Sequence, residues 1–130
     1  MVIRPALCDD WNVQLTVLIV DDHPAFRASA RTLLEDEGYE VVGEAEDGES
    51  GLRLARTLEP DLVLLDIALP DLSGLEVAER LSDAPSKVLL TSSRRPSDLG
   101  PRLRNSSALG FISKDDLSGE TLEALLRERA

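Results

Sequence analysis

The chain has 130 residues, 42 % hydrophobic and 3 % aromatic, with 25 acids against 14 Lys and Arg and a net charge of −11. That length suits one domain around one aliphatic core, and the acidic balance argues against nucleic acid as a direct partner, since phosphate backbones reward basic faces. A single cysteine, Cys8, allows no internal disulfide, no apolar run approaches the ~20 residues of a membrane span, and "MVIRPALCDDWNVQ" lacks a signal-peptide pattern, so the expected setting is the cytoplasm, away from the membrane.

Residues 1–14 read as an N-terminal extension, in which Asp9-Asp10 is a solvated pair and Cys8 and Trp11 carry no chemistry; 15–130 read as the domain. "LTVLIV" (15–20) is a β-branched apolar run, the pattern of a strand buried on both faces. A helix follows, with Phe26, Ala30, Leu33 and Leu34 as its stripe, Pro24 in its first turn and Gly38 as its stop. "YEVVGEA" is a second, weaker strand. The next helix has Leu52, Ala55 and Leu58 on one face and Asp47 as its N-cap. "LVLL" predicts a third strand, "GLEVAERL" a short helix, "KVLLTS" and "GFIS" a fourth and a fifth strand, and "TLEALLRER" a last helix with Leu122, Leu125 and Leu126 on one side. Strands alternating with helices through short loops imply a doubly wound α/β parallel sheet.

Ligands of such sheets bind outside the carboxyl ends of the strands. Asp21 and Asp22 end the first strand there, Asp66 the third and Thr91 the fourth, and Lys114 follows the fifth. Clustered carboxylates repel one another unless a cation joins them. Oxygen ligands without a His or Cys cluster point to Mg2+ before any transition metal, and His23 reads as a polar loop residue. A carboxylate beside Mg2+ is a potential nucleophile toward phosphorus, with Lys114 neutralising the phosphoryl group and Thr91 donating to it. Asp66 is thereby the candidate phosphoacceptor. Asp115-Asp116 reads instead as capping for the last helix.

The pieces "VLIVDDHP", "DLVLLDIALPDLSGLE", "KVLLTS" and "GFISK" come in the order found in receiver domains of two-component response regulators, and the chain resembles that family over roughly 15–128. The resemblance implies a flavodoxin-like five-stranded sheet in order 2-1-3-4-5. It further implies that Asp66 takes the phosphoryl group, that Asp22 holds Mg2+ directly and Asp21 mainly through water, and that the carbonyl of Ala68 is a further ligand. Thr91 and Lys114 would contact the phosphoryl oxygens, and Phe111 would be the switch aromatic paired with Thr91. Ala68 and Ser93, two positions beyond Asp66 and Thr91, would tune dephosphorylation.

Three departures stand out. Asp115 follows Lys114 where many members have Pro, and Ser73 stands where an acid is common. "RRPSDLGPRLRNSSAL", broken by Pro96, Gly100 and Pro101, predicts a short, displaced or irregular fourth helix over 94–109. Its Arg94, Arg95, Arg102 and Arg104, with Phe111, form a candidate docking face. The expected function is a phosphoacceptor switch rather than an enzyme, catalysing only its own phosphoryl transfer and slow dephosphorylation. A histidine kinase or phosphotransfer protein would supply the phosphate, and output would run through an unnamed protein or self-association. The alternative is a receiver-like binding module that needs no phosphorylation. A flavodoxin would want a hydroxyl- and Gly-rich loop where "DDHP" stands, and a haloacid-dehalogenase-type phosphatase an Asp-x-Asp pattern on an early strand.

Overall fold

The first strand, β1 (Thr16–Val20), is the axis of the molecule: its last four residues are buried, and it pairs in parallel with β2 (Glu40–Ala45) on one side and β3 (Leu62–Asp66) on the other. The computed structural model describes residues 15–93 and 107–128. Outward from β3 come β4 (Lys87–Ser92) and β5 (Gly110–Ser113), which complete a parallel sheet in order β2-β1-β3-β4-β5. This is the doubly wound, flavodoxin-like order expected. Around it lie α1 (Pro24–Asp36), α2 (Gly48–Leu58), α3 (Gly74–Arg80) and α4, the C-terminal helix (Gly119–Glu128), with a short 3-10 turn at Lys114–Asp116. The N-terminal extension, Arg94, Arg95, Arg102 and Arg104, and nearly all of the expected irregular helix over 94–109 lie outside the described residues.

Side chains alternate across a strand, so the sheet builds two aliphatic layers. Val17 and Ile19 face α1 and α4 and pack with Ala30, Leu34 and Leu122. Leu18 and Val20 face α2 and α3 and pack with Leu52, Ala55, Val77 and Ala78. Helices on both faces explain why β1 and β3 read as unbroken apolar runs. All five residues of β3 are buried, the terminal Asp66 included.

Local signals placed both ends of α1 and the start of α2. Pro24 occupies the first turn of α1, and Gly38, at φ 97°, supplies the left-handed turn that leads into β2. Asp47 caps α2 by accepting from the Ser50 amide at 2.8 Å. Two readings need correction. Leu58, expected on the buried face of α2, is 39 % exposed: its Cδ1 lies over Gly43 of β2, an edge strand with no further strand beyond it in the sheet to cover the rest. The cap of α4 is Ser118, not Asp115-Asp116: Ser118 Oγ accepts from the Thr121 amide at 3.1 Å while Thr121 Oγ1 accepts from the Ser118 amide at 3.0 Å. The two acids are taken up by the 3-10 turn before it.

Candidate functional site

Parallel strands in register bring their carboxyl ends to one edge. Asp66 is the cross-strand partner of Thr91, and Asp21 immediately follows Val20, the partner of Leu65. Asp21, Asp66 and Thr91 are 1 %, 2 % and 1 % exposed. Lys114, just past the end of β5, returns over them: its Nζ lies 2.7 Å from Asp21 Oδ2 and 3.4 Å from Asp66 Oδ2. Phe26, one turn into α1, presents its ring to the same ammonium at 4.6 Å from Nζ.

The electrostatics are strained in one direction. Burial, and then the neighbouring charge of Asp21, push the Asp66 carboxyl above the ordinary aspartate value; Lys114 and the Ala68 amide, which donates to Asp66 Oδ1 at 3.2 Å, pull it only partly back. Thr91 Oγ1 is buried with no hydrogen-bond partner among the described residues, an orphan that native structures seldom tolerate without a use. Oxygens of Asp21, Asp22 and Asp66 and a ring nitrogen of His23 all lie within 4.8 Å of one another. These residues fit a divalent cation: they supply concentrated negative charge, partly buried, that one lysine does not balance.

The surrounding chain holds this edge in place. Arg27 Nη1 donates to the Asp21 carbonyl at 2.6 Å while its Nε donates to Glu44 on β2 at 3.1 Å. Arg31, the larger influence, and Arg27 hold the Glu44 carboxyl below its usual range. Beyond Asp66 the loop closes on itself through an Ala68–Ser73 bridge. The Asp71 carboxylate accepts from the Gly48 and Glu49 amides at 2.7 and 3.0 Å, which ties the loop to the start of α2. Ala68 and Ser93 are exposed at the rim, and Phe111 packs half-buried against the α2–α3 layer.

Sequence reasoning named Asp21, Asp22, Asp66, Thr91 and Lys114, and the fold brings them to one edge. It passed over Phe26, Arg27 and Asp71, and it set His23 aside. The signal for His23 was its position next to the acid pair; for the others, contact depends on side-chain direction that no periodicity reports.

A profile of the response regulator receiver domain matches residues 17–127. The chain belongs to that family. As a receiver domain it is a signalling module of two-component systems. It is 44 % identical over 110 residues to a putative transcriptional regulator of Pseudomonas aeruginosa, covering 83 % of this chain and 53 % of that protein. It is 46 % identical over 110 residues to the virulence factors putative positive transcription regulator BvgA of Bordetella pertussis, with the same coverage. The receiver thus spans about half the length of the curated relatives it matches. Among solved structures, the receiver domain of the putative response regulator NarL from Mycobacterium tuberculosis aligns with a TM-score of 0.76 at 35 % identity, covering 89 % of this chain and 96 % of that one. The response regulator domain of CheB from Thermotoga maritima gives 0.74 at 28 %, covering 89 % and 96 %. Among the described residues, no helix of the receiver is long and apolar enough to cross a membrane.

Proposed function

We propose that this receiver is a phosphorylation switch in which Asp66 accepts a phosphoryl group from a histidine kinase or phosphotransfer protein, with Mg2+ as cofactor. The observation that carries the reading is the meeting, at one strand edge, of a buried carboxylate, a Thr91 hydroxyl with no partner among the described residues, and the Lys114 ammonium. Asp21, Asp22, Asp66 and the Ala68 carbonyl would hold the ion. Once bound, it neutralises the clustered carboxylates and draws in phosphate oxygens.

The remaining chemistry belongs to the chain. An Asp66 oxygen attacks phosphorus in line, the phosphorus–nitrogen bond of a phosphohistidine donor breaks, and its electron pair returns to the imidazole. Lys114 and Thr91 donate to the phosphoryl oxygens as their charge redistributes. Hydrolysis reverses the state: water attacks phosphorus and the Asp66 carboxylate leaves. Ala68 and Ser93, small and at the rim, leave that water a path, so Ala68→Met and Ser93→Lys change the decay of the phosphorylated form while leaving its formation possible. Thr91 and Phe111 are the switch residues that relay the state to the surface, where output runs by protein–protein contact, either with another protein or by self-association.

Intact mass after incubation with acetyl phosphate and Mg2+ tests the reading. Wild type gains one phosphoryl mass and Asp66→Asn gains none. Equal uptake by both removes Asp66 from the role, and no uptake by either favours a binding module independent of phosphorylation.

A further inference from the structure

His23 is the single histidine of the chain and the one nitrogen donor within the carboxylate cluster. Its side chain is 63 % exposed, so solvent is open to it, yet Nδ1 lies 3.0 Å from Asp21 Oδ1 and 3.1 Å from Asp22 Oδ1. It stands at the N-cap of α1 but makes no side-chain cap bond, so the ring faces the acids and not the helix amides that an N-cap side chain ordinarily serves. Its own amide, donating to Asp21 Oδ1 at 2.8 Å, and Pro24 immediately after it hold the residue at that angle.

Neighbouring donors on an octahedral ion with bonds of about 2.1 Å stand about 3.0 Å apart. The two nitrogen–oxygen separations are hydrogen-bond lengths in the ion-free site and are also close to that edge, so one ion reaches the imidazole and both carboxylates once it displaces the shared proton and the Lys114 ammonium, which lies 3.5 Å from Nδ1. Imidazole nitrogen adds little to the binding of Mg2+, which favours oxygen and water, but adds much for first-row transition ions, increasingly from Mn2+ toward Ni2+. Resting on the reading of this pocket as a divalent-cation site, we propose that His23 is a direct ligand of the bound ion and shifts the site's preference from Mg2+ toward first-row transition-metal ions. The carboxylate and carbonyl oxygens alone make a hard site; the imidazole nitrogen makes it borderline.

The test titrates tag-free, full-length chain with MgCl2, MnCl2 and NiCl2 by calorimetry, for wild type, His23→Gln and His23→Ala. The exposure of His23 keeps both variants folded. Removing the imidazole weakens Ni2+ binding about tenfold or more and leaves Mg2+ within about twofold. Pulsed electron paramagnetic resonance of the Mn2+ complex shows an imidazole nitrogen coupling in wild type that both variants lose, and with one histidine in the chain that signal has one source. An unchanged ratio of Ni2+ to Mg2+ affinity in His23→Gln, or no imidazole coupling in wild type, overturns the role of His23 while normal Mg2+ binding leaves the cation site standing. Absence of binding by all three ions overturns both.

Discussion

Thr91 shows how a single atom can be informative. Its hydroxyl is buried and unpaired among the described residues, a state that costs about 1–3 kcal/mol. Thr91→Val keeps the shape and removes the orphan, so it should leave the fold as stable as wild type or raise it by about 1 kcal/mol in urea denaturation, while weakening binding of beryllofluoride, a phosphoryl mimic. Loss of stability would mean that the hydroxyl has an unseen partner. Asp66 makes a matching case in charge. Its folded carboxyl titrates above the unfolded value, so the native state holds that proton more tightly than the unfolded chain. Ionisation therefore takes stability away as pH rises from the unfolded value through the raised folded one. Asp66→Asn cannot ionise, and without divalent ions it should melt higher than wild type at neutral pH, the gap closing in acid. Melting curves from about pH 3 to about pH 8 would read this, and a gap that persists unchanged at the acid end would contradict it. At this scale the sequence was legible wherever an acid or a lysine interrupted an apolar pattern, as at Asp66 and Lys114. His23, Phe26 and Arg27 were not legible, because the first turn of a helix can aim its side chains at the sheet edge or at water with the same spacing.

Among the elements, the loop from β3 to α3 is the most constrained. Gly74 donates its amide to the Ile67 carbonyl at 2.7 Å, and a Cβ on it would run into the Asp66 carbonyl and the Ile67 Cα, both rigid backbone. Gly74→Ala should therefore destabilise the fold by about 1–3 kcal/mol through overpacking and also reduce phosphoryl uptake, since what must shift is the backbone of Asp66, the proposed phosphoacceptor. Ser73→Ala is the control: it removes the cap of α3, whose side chain accepts from the Leu75 amide at 3.1 Å, at a cost of about 1 kcal/mol, and should leave uptake intact. If both variants lost uptake equally, general instability would explain the effect. Asp71 adds a pH signature here. The Gly48 amide foremost, with those of Glu49 and Leu72, lowers its carboxyl, so what it contributes to the loop is present above the ordinary carboxylate range and is lost as pH falls through its depressed value. Element types and order were readable because β1, β3, β4 and β5 are short apolar runs and β1, β2 and β3 are each followed by a helical stripe. Ends were less so: Asp115-Asp116 looked like a cap in one dimension, whereas Ser118 and Thr121 form the reciprocal pair that the α4 start uses. Leu58 fits its stripe, but its exposure comes from packing over an edge strand, which is a property of the sheet.

Across the whole molecule, order β2-β1-β3-β4-β5 distributes the site unequally. Asp21, Asp22 and Asp66 sit at the ends of β1 and β3, each paired on both sides, whereas Lys114 follows β5, which pairs with β4 alone and whose residues are mostly half-buried. The sheet order was legible through the family resemblance; composition and periodicity reach only as far as a parallel sheet, because the order depends on which crossovers pack. Native proteins open in parts, with the least-covered parts opening most readily. Amide exchange should therefore be slowest in β1 and β3, at the rate of global unfolding, and faster in β5 through local opening. Beryllofluoride and Mg2+ bind the native state alone, so adding them should slow exchange in β1 and β3 by the gain in global stability, and should also slow β5 and the end of β4, whose local opening would dismantle the site; exchange in β5 left unchanged would contradict this. The consequence is mechanical. If the proposed switch closes the pocket, the carboxylates on the doubly paired central strands would act as the fixed jaw of a vice and the Lys114 ammonium beyond the edge strand as its sliding jaw, so the displacement would run outward to the β5 margin and away from β2.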